Sequence, residues 1–508
     1  MIGRDFSYVL LRTVAGVDDT PLQAALDRLA EADILLVEGL PPDAEYRFKH
    51  ALIQDAAYEN LLKSRRQLLH RRVGEALRDK FAGTAAAEPE LLAHHFTQAG
   101  MSEPAIDYWR RAGDLAMARS ANAEAIHHFS AALDLVPTLG EMPEREAKEL
   151  ELCVKIGPAL MIVKGTASPE VHAIYTRAAG LRTGEDSAER FKALWGLFYY
   201  SMTSGRLREA SDYARELLML AQRLGADDLV LEGYHARWAT LHWCGELKAA
   251  DLDCREGISR YDPTRHHALA FAFSGHDPGI CAHGIGAINT LLLGFPHQAI
   301  ERGAEAMTLA RTLAHPYSLA LAMWQYSIVL QIARQWETSR AIATQLVQLS
   351  REHNFPMMRG NGMFFTGSAS AEAGDLEQGV ALMEQGLGLL VSTGRRVTRP
   401  YMQMVLARAK ADLGKLAEAF ELVDEALRAT DAQGERWSEA ELHHVRARLL
   451  FARGQFDESE VHLWRSIEIG CSQKARAFQL RAATSLARLW RDQGKVEEAR
   501  ELLAPVYG

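Results

Sequence analysis

The chain has 508 residues, 48% of them hydrophobic and 24% charged, and 57 Lys and Arg against 66 Asp and Glu give a net charge of −9. That balance argues against a general nucleic-acid binder, which needs surplus cations to neutralise phosphates. No apolar run reaches the roughly 18 residues of a membrane helix, and the start Met1-Ile2-Gly3-Arg4-Asp5-Phe6 has no charged-then-apolar secretory pattern.

The five cysteines, Cys153, Cys244, Cys254, Cys281 and Cys471, are scattered and form no CxxC pair. They indicate neither a disulfide framework nor a zinc ribbon, and a reducing, cytoplasmic setting is expected.

Residues 1–82 read differently from the rest. Phe6 to Leu11 has helical apolar spacing, and a second helix over 20–32 places Leu22, Leu26 and Leu29 on one face. Ile34-Leu35-Leu36-Val37, the Pro41-Pro42-Asp43 turn and Tyr46-Arg47-Phe48 predict a two-stranded wing. Two helices, about 50–62 and 65–81, follow. The outline is that of a small winged-helix-like α+β domain.

Beyond it the chain keeps time. Gly205 and Gly245 lie 40 apart; Gly294, Arg334, Gly374, Gly414, Gly454 and Gly494 repeat that interval, Arg334 being the non-glycine exception. Earlier turns are expected near Ser120 and at Gly165, where Ser168-Pro169-Glu170 is a helix-entry signal. Five residues after the turns stand Ala210, Ala250, Ala299, Ser339, Gly379, Ala419, Ser459 and Ala499. Seven before the later ones stand Ala287, Ser327, Gly367, Ala407, Ala447 and Ala487. Helices pack at ~8–10 Å only where contact points carry little side chain. The reading is therefore all-α: about ten tetratricopeptide-like hairpins with a period near 40, stacked as a right-handed superhelix with a concave face. The expected divisions are 1–82, first array helices at 83–137, hairpins at 138–262, an insertion at 263–279 and hairpins at 280–508. The insertion follows from the longer Gly245–Gly294 interval and is where the array is expected to bend or to present something.

The run Phe48-Lys49-His50 through Tyr58, then Ser64-Arg65-Arg66-Gln67-Leu68-Leu69-His70, resembles bacterial STAND-type signalling ATPases. More narrowly it resembles the group in which a class III nucleotide cyclase domain precedes an AAA-like ATPase. Leu91-Leu92-Ala93-His94-His95-Phe96 and Ala105-Ile106-Asp107-Tyr108-Trp109 continue the likeness. The resemblance implies the winged helix and tetratricopeptide region downstream of the ATPase. The chain has no G-x-x-x-x-G-K-[ST] phosphate loop, so ATP binding and cyclase activity are carried over to no residue and no cofactor is expected.

The implied function is a non-catalytic interaction and sensing scaffold: a protein or peptide in the concave groove, and an ATPase or cyclase module as the possible second partner. The alternative is a transcriptional regulator whose winged helix meets DNA. Arg65, Arg66, Arg71 and Arg72 form the strongest basic patch, and docking on another domain is the favoured reading of it. In the insertion, Asp277-Pro278 reads as a helix cap with Cys281 buried behind it. His276, Cys281 and His283 are the residues a metal would use, although their spacing matches no metal motif and no metal is expected.

Overall fold

In the computed structural model, residues 3–140, 142–181 and 186–507 are described, and they divide into two compact units, Met1–Leu152 and Cys153–Gly508. The first begins with β1 (Asp5–Ser7), α1 (Tyr8–Ala15), α2 (Asp19–Glu31), β2 (Leu35–Glu38) and β3 (Glu45–Phe48). The strands form one antiparallel sheet in the order β1-β3-β2. The sheet corrects two expectations: it has three strands rather than two, and Phe6 lies in a strand rather than a helix. Phe6 pairs with Tyr46 across β1 and β3, and their rings stack at 5.6 Å. Helix formation begins only after Ser7, whose hydroxyl accepts a hydrogen bond from the Leu10 amide at 3.3 Å. Leu22 and Leu26 enter this core; Leu29 remains exposed.

The helices α3 (Ala51–Glu59), α4 (Lys63–Lys80), α5 (Ala82–Ala87), α6 (Pro89–Ala99), α7 (Ser102–Ala118) and α8 (Asn122–Leu135) follow. Val73, Leu77, Leu92 and Phe96 form a second core among them. Helix α9 (Met142–Lys164) runs from the first unit into the second, where α10 (Pro169–Gly180) follows.

The rest of the second unit is hairpins: α11 (Ala188–Thr203) with α12 (Leu207–Leu224), and α13 (Asp227–Trp243) with α14 (Leu247–Arg260). Two short helices, α15 (Pro263–His266) and α16 (Leu269–Ala272), interrupt the series. It resumes with α17 (Pro278–Leu292) and α18 (Pro296–Leu313), then α19 (Pro316–Ile332) and α20 (Trp336–Glu352). Next come α21 (Pro356–Glu372) and α22 (Leu376–Ser392), then α23 (Arg399–Asp412) and α24 (Leu416–Gln433). The last pairs are α25 (Glu439–Ala452) with α26 (Phe456–Gln473), and α27 (Arg476–Asp492) with α28 (Val496–Tyr507). No helix among the described residues is long and apolar enough to cross a membrane.

Gly205, Gly245, Gly294, Gly374, Gly414, Gly454 and Gly494 all take positive φ at the turn within a hairpin, and so does Arg334, at 60°. A second set lies between hairpins: Ala314, Asn354, Gly394, Gly434 and Lys474, again 40 apart and again left-handed. The two small-residue series meet each other. A Cβ on Gly367 would lie 2.6 Å from the Gly379 carbonyl oxygen, and the Ser459 hydroxyl donates to the Ala447 carbonyl at 2.9 Å. Ala210, Ala250, Ala299 and Ala419 are wholly buried, and Ala499 nearly so.

Ala419→Trp is therefore expected to lose about 1–3 kcal/mol or more through overpacking. Lys415→Trp, on a side chain 53% exposed, should change stability by less than about 0.5 kcal/mol. Urea denaturation of both variants checks the pair, and equal losses would contradict this packing.

The row of hairpins returns on itself. Gly165 meets Thr393, Gly205 meets Gln433 and Gly245 meets Gln473, at one constant sequence offset. Backbone hydrogen bonds join the same levels: Arg396 N to Thr203 O at 2.9 Å and Arg436 N to Trp243 O at 2.8 Å. As a result the first helices near the middle of the row are enclosed, α17 being buried from Pro278 to Leu292 apart from His283. Helix α19 is buried around its whole circumference, from Tyr317 to Ile332, apart from Leu319.

Candidate functional site: a buried histidine–cysteine cluster and a basic cleft

The insertion turns inward. After α16, Phe273 packs against Phe191 and Trp195 at ring distances of 5.8 and 5.5 Å. Gly275, at φ 74°, lies against Ile162 of α9. Asp277 then caps α17: its Oδ1 accepts from Ile280 N at 3.1 Å, while Oδ2 accepts from Tyr261 OH at 2.7 Å and faces His267 Nδ1 at 3.0 Å. The Asp277 amide donates to Ser318 Oγ on α19 at 2.9 Å. Within the insertion Pro263, Thr264 and Arg265 are exposed, and the stretch from Ser274 to Asp277 faces inward. Ser274, His276 and Asp277 are at most 2% exposed, and the Ser274 hydroxyl and the Asp277 carboxylate find partners within the array.

This folding brings His276 and Cys281 beside His235, one repeat earlier on α13. Their potential ligand atoms lie within 4.8 Å of one another, and all three residues are buried. His276 Nε2 is 3.3 Å from His235 Nε2, and His235 Nδ1 is 3.0 Å from Glu232 Oε2. Gln325 Nε2 lies 3.9 Å from Cys281 Sγ. The aromatic wall is Trp195, Tyr199 and Trp238, the last stacked on His235 at 4.9 Å. Burial opposes a charge on His235, yet Cys281 and Glu232 beside it raise its pKa to about 10. Burial, then the neighbouring His235, lowers that of His276. His283 is elsewhere: its Nδ1 faces Glu305 at 3.4 Å.

Cys281, His235 and Glu232 stand in the order nucleophile, base and orienting carboxylate. Cys281 is only 5% exposed and the other two 1%, so a substrate has no approach to the sulfur. A small ion has only to arrive while the chain folds.

The second feature is a cleft of about 730 Å³ where the turn between α17 and α18 meets the start of α27. Lys248, Arg255, Lys474 and Arg476 surround it with Asp251 as its carboxylate, and Leu252 and Phe295 stand in it 58% and 48% exposed. An extended acidic segment with an apolar side chain fits this chemistry. In the first unit, Arg65, Arg71 and Arg72 are exposed on α4, Arg71 pairs with Glu75 at 2.9 Å, and Arg66 lies over the Tyr58 ring at 5.2 Å. Beneath them His70 and His95 meet through their Nδ1 atoms at 2.9 Å, fully buried, a pair that sequence spacing does not announce.

The tetratricopeptide-repeat family profile matches residues 479–507, the last hairpin. An uncharacterized protein of Rhizobium meliloti (strain 1021) is 27% identical over 92% of this chain, and the chain spans about half of that relative's length, 46%. Among solved structures, a Rap protein complexed with competence and sporulation factor is 11% identical. It superposes with a TM-score of 0.55 over 72% of this chain and 98% of its own. A STAND protein with a tetratricopeptide repeat sensor from Pyrococcus horikoshii is 9% identical, with a TM-score of 0.36 over 93% of this chain and 63% of its own. The chain is an all-α array of tetratricopeptide-like repeats with a small three-stranded sheet at its start.

Proposed function

We propose that this chain is a non-catalytic sensing scaffold, the regulatory part of a STAND-type ATPase of the cyclase-linked group, working in the cytoplasm. The observation that carries the reading is the basic cleft, in which two exposed hydrophobic side chains stand among four cations. Such a wall suits a protein segment better than a small polar metabolite, because apolar anchors and charge complementarity together give affinity and register. The array, wound as a right-handed superhelix, would hold the cleft rigid. The winged-helix-like residues 1–82, with Arg65, Arg66, Arg71 and Arg72 as the docking face, would convey binding to an ATPase. The repeat-family match, the fold shared with the Rap protein and the greater length of the Rhizobium relative all support this reading.

Calorimetry on the purified chain is expected to give no heat of ATP binding. A tight, submicromolar ATP complex would overturn the assignment of this chain as the non-catalytic partner.

A further inference from the structure

We propose that His235 Nε2, His276 Nε2 and the Cys281 thiolate bind a zinc ion that pins the insertion to α13. Three observations carry this. First, the three potential ligand atoms lie within 4.8 Å of one another on buried side chains. A single proton on His235 Nε2 can bridge to one of the other two groups only, whereas a divalent cation joins all three.

Second, the spacing suits coordination. Two nitrogens bound at about 2.0–2.1 Å in a tetrahedron lie about 3.3 Å apart. The two Nε2 atoms face each other at 3.3 Å.

Third, the groups behind the ligands have the arrangement metal sites need. Glu232 Oε2 accepts a hydrogen bond from His235 Nδ1–H at 3.0 Å and so leaves Nε2 to the metal. The Gln325 amide points a donor at the Cys281 sulfur, which suits a thiolate. Gln325 can come so near because residue 284 is glycine: a Cβ there would lie 1.9 Å from its amide oxygen.

The donor set, two imidazoles and a sulfur, selects zinc over magnesium or calcium, which prefer oxygen. Binding is a proton-for-metal exchange: the one proton shared by His235 Nε2 and the Cys281 sulfur leaves to solvent, both imidazoles bind neutral and the sulfur binds as thiolate, and nothing is oxidised or reduced. The thiolate and the Glu232 carboxylate together offset the two charges of the ion.

The test uses the full chain produced in zinc-supplemented medium, dialysed, and assayed by elemental mass spectrometry. Wild type is expected to hold close to one zinc per chain, Cys281→Ser to lose most of it, and His283→Ala, directed at Glu305, to keep it. Wild type without bound zinc, or Cys281→Ser retaining the wild-type content, would overturn the proposal. Should Cys281→Ser fail to fold, zinc-edge X-ray absorption on the wild-type protein decides alone. One sulfur with imidazole nitrogens supports the site, and a shell of nitrogen and oxygen only rejects it.

Discussion

Replacing Trp437 by alanine is expected to cost about 3–5 kcal/mol, the range for removing a large buried aromatic. Trp437 is wholly buried where the returning hairpins meet, with its ring 4.8 Å from Tyr401, 5.2 Å from His242 and 5.8 Å from Trp243. The adjacent Arg436 amide donates to the Trp243 carbonyl, so the backbone is held at the same place as the ring. The loss should appear as a lower Tm and as faster proteolysis of both the α13–α14 and the α25–α26 hairpins. In an open solenoid each repeat answers only to its neighbours, and damage there would remain local. Leu252→Ala, on a side chain 58% exposed, is the control. If the two variants were equally stable, the contact between distant hairpins would have no energetic weight.

Glu435 is expected to contribute stability that is lost as pH rises through about 7. Its carboxylate is fully buried, accepting from the Thr398 amide at 3.0 Å and from Trp437 Nε1 at 2.9 Å. Burial outweighs these donors and the nearby Arg395, and pushes its pKa up from 4.5 to about 7. A folded-state pKa above the unfolded one means that the native state keeps a proton the unfolded chain has released. The contribution is complete below pH 4.5 and is lost as pH rises through about 7. The largest swing this allows is about 3 kcal/mol, at 1.36 kcal/mol per unit. Glu435→Gln has no proton to lose, so its stability relative to wild type should increase between about pH 5 and about pH 8. Denaturant titrations across that range are the measurement, and parallel curves for the two proteins would reject the assignment.

The regular part of this fold is written in the residues that tolerate only one geometry. A glycine at the hairpin turn and a small residue five positions later are visible because a side chain at either would strain the backbone or hold two helices apart. The second set of turns was not legible. Ala314, Asn354, Gly394, Gly434 and Lys474 share a left-handed backbone and no common side chain, since packing on both sides imposes the conformation. Strand β1 escaped for a similar reason. Three residues, Asp5-Phe6-Ser7, have no period of their own and become a strand by pairing with β3. In the buried cluster, His276 and Cys281 were visible by residue type, and His283 was grouped with them only by proximity in sequence. His235 was hidden by lying one repeat away. The period does not point to it, because Gly245 and Gly294 are 49 apart and His235 stands 10 residues before its turn while His276 and Cys281 stand 18 and 13 before theirs.

The constant offset at which Gly165, Gly205 and Gly245 meet Thr393, Gln433 and Gln473 also restricts how this protein can change over generations. Open repeat arrays lengthen and shorten readily, since a duplicated unit simply adds one more neighbour. Here an added or deleted hairpin between the two contacting levels would shift every later turn by one unit and abolish all these meetings together. A change in the number of hairpins between these levels is therefore expected to cost all of these contacts at once, whereas a side chain on an outer helix can change alone.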